Sequence, residues 1–201
     1  MLRTYTRTVS TEQQAKLSEY LAMVEQYALV LNLTAFRGAE LAVELGEESL
    51  RLLSLGSIGA GWNCADLGSG VGTPVVPLAI AAPHAQFAAV EAREKRATFL
   101  KHVAAKVHID NLRVLETRTE HLLRDEPASF DLVTARAYAV PDVLCAHAAA
   151  LLKPGGELRG YSGAEMGEVE AAATAHGFTV EQVIAYKLGE SQRHIYRLRK
   201  V

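Results

Sequence analysis

Two cysteines, Cys64 and Cys145, are all that 201 residues contain. They are too few and too far apart for a disulfide scaffold or a Cys-rich metal site, and read as small buried hydrophobes. The seven histidines show no ligand spacing, so no metal is assigned. No apolar run approaches the roughly 20 residues that a bilayer span needs. The start of the chain lacks the charged-then-apolar pattern of a secretory signal, so a cytoplasmic protein with no membrane partner is expected. The net charge of −2 leaves no global basic excess, and any nucleic-acid contact has to use a local patch.

What is present is ordinary globular material, 49% hydrophobic and 22% charged, enough for one medium domain with a short extension. Apolar residues at helical spacing predict helices over 10–31 and 39–55, an N-terminal helical extension covering 1–60. The glycine-rich run 56–61 joins it to residues 61–201, where strands and helices alternate. Strands are predicted at 62–67, 86–91, 112–116, 130–135 and 157–161, with helices at 74–82, 93–107, 119–124, 141–151 and 164–176. Lys153-Pro154-Gly155-Gly156 reads as a turn before the fifth strand. Two last strand-like runs, 178–186 and 192–199, have no helix between them and should form an antiparallel edge hairpin. The pattern is α/β: a Rossmann-like, mostly parallel seven-stranded sheet covered on both faces, one compact unit overall.

The chemistry centres on Asp66-Leu67-Gly68-Ser69-Gly70-Val71-Gly72-Thr73-Pro74, a glycine loop between the first strand of the α/β unit and a helix. Such sheets bind nucleotides there. The loop lacks the Lys-Ser/Thr of a P-loop, which argues against phosphate cradling. Pro74 and Pro77 crowd the helix start where a pyrophosphate would sit, and Pro74 has no N–H to offer. Glu91 ends the second strand, where a carboxylate can accept both hydroxyls of a ribose. Together these features select an adenine nucleoside cofactor without phosphate, S-adenosyl-L-methionine. Arg136, at the C-terminal end of the fourth strand, is a further site candidate, because ligands gather at that edge.

These residues carry a resemblance. The chain resembles the bacterial ribosomal small-subunit RNA (guanine-N7) methyltransferases, also called glucose-inhibited division protein B, from about Tyr20 to the C-terminus. The shared elements include Asn32-Leu33-Thr34-Ala35, the glycine loop, Lys95-Arg96 with Phe99-Leu100, Arg118-Thr119-Glu120, Ala135-Arg136-Ala137 and Leu152-Lys153-Pro154-Gly155-Gly156. The resemblance implies a class I S-adenosylmethionine-dependent methyltransferase fold, with Gly68 and Thr73 touching the cofactor, Glu91 on the ribose and Thr119-Glu120 beside the adenine. Asp66, Ser69, Gly70 and Gly72 complete the expected cofactor set. Arg136 is implied as cofactor-contacting and catalytic, and ribosomal small-subunit (16S) RNA as the partner of a monomer. The chain departs from the family pattern at Glu44-Leu45-Gly46-Glu47-Glu48-Ser49, where His-x-x-x-Asp-Ser is usual, and at Ser162, where a Lys is usual.

Methylation of guanine N7 needs no base, since N7 is already a lone-pair acceptor. No Asn-Pro-Pro-aromatic or Asp-Pro-Pro-aromatic motif for exocyclic amines occurs, and neither cysteine follows a proline as a pyrimidine-C5 nucleophile would. Basic residues concentrate on one helix (Arg93, Lys95, Arg96, Lys101) and at the end of the chain (Arg193, Arg197, Arg199, Lys200), as solvated faces or as phosphate contacts. Two other functions stay open at this level: a methyltransferase for another RNA or a small molecule, and a cofactor-binding protein without transfer activity.

Overall fold

The computed structural model describes residues 9–31, 34–163 and 165–201, so Asn32 and Leu33 of the Asn-Leu-Thr-Ala element lie outside the described residues. Helix α1 (Thr11–Tyr27) opens on a capping box, in which Ser10 Oγ accepts from the Gln13 amide and Gln13 Oε1 accepts from the Ser10 amide. It stops short of the predicted residue 31. Leu29 and Val30 are each 81% exposed, so the apolar stripe that supports the helix has ended.

The predicted helix over 39–55 is four segments in series: α2 (Gly38–Leu41), a π-helical segment (Ala42–Glu47), α3 (Glu48–Arg51) and a 3₁₀ turn (Leu52–Leu55). Then come β1 (Asn63–Leu67), α4 (Val75–Ala81), β2 (Gln86–Val90), α5 (Glu94–Lys106), β3 (Leu112–Leu115), α6 (Thr119–Asp125) and β4 (Phe130–Ala135). The chain finishes with α7 (Pro141–Leu151), β5 (Leu152–Ser162), α8 (Gly167–Ala175), β6 (Phe178–Leu188) and β7 (Ser191–Lys200).

The seven strands form one sheet in the order β3-β2-β1-β4-β5-β7-β6. The first five are parallel, and β7 runs antiparallel between β5 and β6. The predicted terminal hairpin is therefore present, with its second strand inserted against β5. Lys153–Gly156 is not a turn ahead of the strand. It belongs to β5, where the pairing with β4 jumps from Phe130↔Leu152 to Leu132↔Glu157, so these residues are pushed out as an irregular bulge.

Alternation along β1 divides its side chains between the two faces. Cys64 joins a core made with Leu17, Tyr20, Val24, Leu50, Leu78 and Phe99, so α1 and the segments after it share that core with α4 and α5. Ala65 and Leu67 point into the opposite core, with Leu122, Leu144, Leu151 and Val169 from α6, α7 and α8. Both cysteines are buried, and burial pushes the thiols up to about 12 for Cys64 and about 11 for Cys145, which keeps them unreactive.

Arg159 on β5 is 1% exposed. It pairs with Glu157 at 2.6 Å and donates to the carbonyls of Gly56 at 2.7 Å and Ser57 at 3.2 Å. This buried cation fastens the Gly56–Gly61 linker to the sheet.

Candidate functional site

The loop after β1 is shaped by sterics. Gly68 has φ +67° and Gly72 φ +105°, where a side chain is strained. A Cβ on Gly68 would lie 2.8 Å from Tyr138 Cδ2, and one on Gly72 would lie 2.7 Å from Val76 Cγ2. The loop is held from three directions. Ser69 N–H donates to the Val90 carbonyl at 3.0 Å, Gly70 N–H to Glu91 Oε2 at 2.9 Å, and the buried Tyr20 hydroxyl on α1 to the Val71 carbonyl at 3.1 Å.

Glu91 is 6% exposed and also accepts from the Arg93 amide at 2.8 Å through Oε1. Each of its oxygens thus takes one main-chain N–H and keeps a further lone pair for a ligand. Asp66 lies behind the loop, 1% exposed. Its Oδ1 accepts from Thr134 Oγ1 at 2.8 Å, whereas Oδ2 has no partner among the described residues. Burial pushes this carboxyl up to about 7, with the Ser69 and Thr134 hydroxyls opposing the shift and Glu91 adding to it.

Two pockets adjoin across Gly68. One, of about 220 Å³, is lined by Glu91, Arg93, Arg118, Thr119, Glu120 and Tyr138 among others. The other, of about 260 Å³, is lined by Thr34, Phe36, Leu45, Gly68 to Val71, Thr73, Arg96, Arg136 and Ala137. The strand end of β4 supplies both. Ala137 has φ +52°, and Arg136 before it lines the second pocket while Tyr138 after it lines the first. The Tyr138 hydroxyl is 2.8 Å from His147 Nδ1 on α7.

Of the residues singled out from sequence, Gly68, Ser69, Gly70, Thr73, Glu91, Thr119, Glu120 and Arg136 line these two pockets. Asp66 and Gly72 line neither; they shape the loop from behind. Tyr138, Phe36 and Arg118 were not anticipated as lining residues. Tyr138 follows Arg136 by two positions at the ligand-gathering edge, a signal that was available. Phe36 arrives from the N-terminal segment and has no local signature.

Pro74 is the N-cap residue of α4, so the start of this helix presents no N–H at that position. The pair of pockets therefore suits a nucleoside with a short arm better than a pyrophosphate. Among the described residues no group of three His, Cys, Asp or Glu could hold a metal ion.

The two basic clusters separate in the structure. The C-terminal one is used internally: Arg193 on Glu44 and Glu48, Arg197 on Glu181, Arg199 on Glu157 and Glu181, and Lys200 on the carbonyls of Ala149 and Leu152. Lys101 pairs with Glu116. Arg93, Lys95, Arg96 and Arg118 make no ion pair among the described residues, and Arg93, Arg96 and Arg118 line the pockets. Glu44 presents no free charge outward; it is 8% exposed and paired with two arginines. Ser162 Oγ donates to the Glu165 carbonyl.

A family model described as GidB, rRNA small subunit methyltransferase G, matches residues 13–196. The ribosomal RNA small subunit methyltransferase G of Xanthomonas euvesicatoria is 37% identical over 188 residues, 92% of this chain and 86% of that protein. Among solved structures, a precorrin-6y C5,15-methyltransferase from Geobacter metallireducens superimposes with TM-score 0.62 at 19% identity, covering 77% of this chain and 89% of that one. A SAM-dependent methyltransferase from Aquifex aeolicus gives TM-score 0.61 at 15% identity, covering 78% and 92%. At those identities the likeness is one of fold, the class I methyltransferase fold.

Proposed function

This chain belongs to the GidB family of rRNA small subunit methyltransferases, and on that premise we propose that it methylates guanine N7 in small-subunit ribosomal RNA with S-adenosyl-L-methionine as donor. The observation that carries the choice of acceptor is the lining of the pocket beside the loop. Its only charged residues among those described are Arg96 and Arg136, which do not accept protons at neutral pH. No carboxylate or imidazole lines it, so the site suits an acceptor that needs no deprotonation.

Glu91 would hold the ribose hydroxyls, and Thr119, Glu120 and Tyr138 would surround the adenine. The amino-acid arm would lie along Gly68–Gly70 toward Arg96 and Arg136. When bound, the cofactor supplies a sulfonium methyl and leaves as a neutral thioether. The chain's own contribution is then orientation. Phe36 offers a face on which an unpaired base can stack, and Arg136, in the lining of the same pocket, would be the catalytic residue.

The unpaired cations support an RNA partner. Arg93 occupies the N-cap position of α5, Lys95 and Arg96 stand in its first turn, and Arg118 occupies the N-cap position of α6. The helix dipole disfavours cations at these N-terminal positions, so helix stability does not account for them. Phosphate contact does. We take the protein to act as a monomer, and ribosomal RNA as substrate sets the work in the cytoplasm.

The test is incubation with labelled cofactor and undermethylated small subunits, naked RNA and a nucleoside panel, followed by mass mapping. A methyl at guanine N7 of the RNA is expected. Transfer to a free small molecule, or cofactor binding without any transfer, refutes the assignment.

A further inference from the structure

Behind Arg136 lies a set of charges drawn from three distant parts of the chain. Glu44 comes from the π-helical segment, Glu48 from α3, Arg136 from the end of β4 and Arg193 from β7. The side chains of Glu44 and Glu48 are 10% and 1% exposed, those of Arg136 and Arg193 19% and 30%.

The backbone takes part. In an α-helix the Glu48 amide would bond to the Glu44 carbonyl. Here it bonds to the Val43 carbonyl, five residues back. The Glu44 carbonyl accepts instead from Arg136 Nη1 at 2.5 Å, while the Glu44 carboxylate accepts from Arg136 Nη2 at 3.0 Å. Arg193 then grips the same carboxylate with both terminal nitrogens, at 3.1 and 3.2 Å. It also approaches Glu48 Oε2 at 3.7 Å. Glu44 is thereby fixed from one side and holds Arg136 at two points from the other.

We propose that Glu44 and Arg193 are positioning residues, which lock the Arg136 guanidinium in the wall of the pocket beside the cofactor loop. The proposal rests on the reading of Arg136 as the residue that meets the acceptor. A long arginine free to rotate must give up that freedom to reach its position in the transition state; one clamped beforehand does not. The clamp leaves donors of Arg136 uncommitted, because a guanidinium has five and the two bonds to Glu44 use two. The acid at position 44 is therefore an integral part of the site in this chain.

The experiment compares wild type, Glu44→Gln, Arg193→Met, Arg136→Ala and the Glu44→Gln/Arg136→Ala double variant. Glu44→Gln preserves volume; should it fail to fold, Arg193→Met tests the other half of the clamp. We expect kcat for RNA methylation to fall about ten- to a hundredfold in Glu44→Gln, with KM and cofactor affinity within about twofold of wild type. Adding Glu44→Gln to Arg136→Ala should cost nothing more, because the first acts through the second. Wild-type kcat in Glu44→Gln, or effects that multiply in the double variant, overturns the proposal.

A second readout needs no activity. An Nη–H resonance of Arg136, assigned by its loss in Arg136→Lys, should exchange slowly in wild type and fast in Glu44→Gln, because the clamp bonds run through Nη1 and Nη2. Equal exchange in both refutes the clamp. A wild-type protein that transfers no methyl at all counts against the proposed function and leaves this resonance to decide the clamp.

Discussion

Asp66 is a carboxyl buried beneath the cofactor loop with one oxygen unpartnered, and its replacement gives a test with a worked sign. Its value is raised from 3.8 to about 7 in the folded protein. Between those values the native state holds a proton that the unfolded chain has released. Stability owed to this group is therefore present at low pH and is lost as pH rises toward and through 7. The full displacement is worth about 4 kcal/mol, at about 1.36 kcal/mol per factor of ten, and more than half of it falls between pH 5 and pH 8.

Asp66→Asn removes the titration and keeps an oxygen for the Thr134 hydroxyl. Urea unfolding of both proteins from pH 5 to pH 9, at constant ionic strength, should show the variant gaining on wild type by about 2–3 kcal/mol up to pH 8 and levelling off beyond it. Taking the difference cancels every other group that titrates alike in both proteins. A difference that stays flat with pH would mean that Asp66 is ionised and satisfied in the native state, and the account of the space behind the loop would fall.

Gly68→Ala places a Cβ against Tyr138 at a positive φ; cofactor binding measured by calorimetry should weaken more than tenfold, with stability lower by about 1–2 kcal/mol. Glu91→Ala removes the proposed ribose acceptor and the anchor of the Gly70 amide, and unchanged cofactor affinity would sink the ribose assignment. Arg159→Met takes the buried cation from the buried Glu157, leaving it only its pair to Arg199, and empties the bonds to the linker carbonyls. Denaturant unfolding should show stability reduced by about 3–5 kcal/mol, partly restored by adding Glu157→Gln. The two basic clusters should behave oppositely. Replacing Arg93, Lys95 and Arg118 by Ala should weaken RNA binding and lower its salt dependence by about 0.7 for each phosphate no longer neutralised, for a single-stranded target. Arg199→Ala, which breaks pairs to Glu157 and Glu181, should lower the melting temperature and leave RNA affinity alone.

Much of the architecture is legible from local rules. β4 and α7 occupy the predicted residues, and the other strands and the helices between them shift by a few residues at most. The exception, Lys153–Gly156, shows the limit: Pro and Gly mark a departure from regular pairing, but tertiary contact with β4 keeps these residues within the strand as a bulge. The N-terminal segments were harder, because an apolar stripe cannot say where its packing partner ends, nor that a helix will slip into π register.

For the site, the glycine loop and Glu91 follow from sequence, since both depend on short-range facts: where β1 ends, where a side chain would collide and which residue closes the next strand. Charge pairing does not work that way. Glu44 viewed alone is an anion facing an RNA substrate, and Arg193 through Lys200 viewed alone are a basic tail. Which cation meets which anion depends on contacts between residues as far apart as 44 and 193, and on a hairpin that returns β7 against β5. The sequence by itself determined the elements, the sheet class and the cofactor loop, because backbone sterics and apolar periodicity act over a few residues. Only the tertiary structure decided that the C-terminal cations serve the fold, that the rim of α5 and α6 stays free, and that Glu44 grips Arg136, because a charge is defined by its neighbours in space.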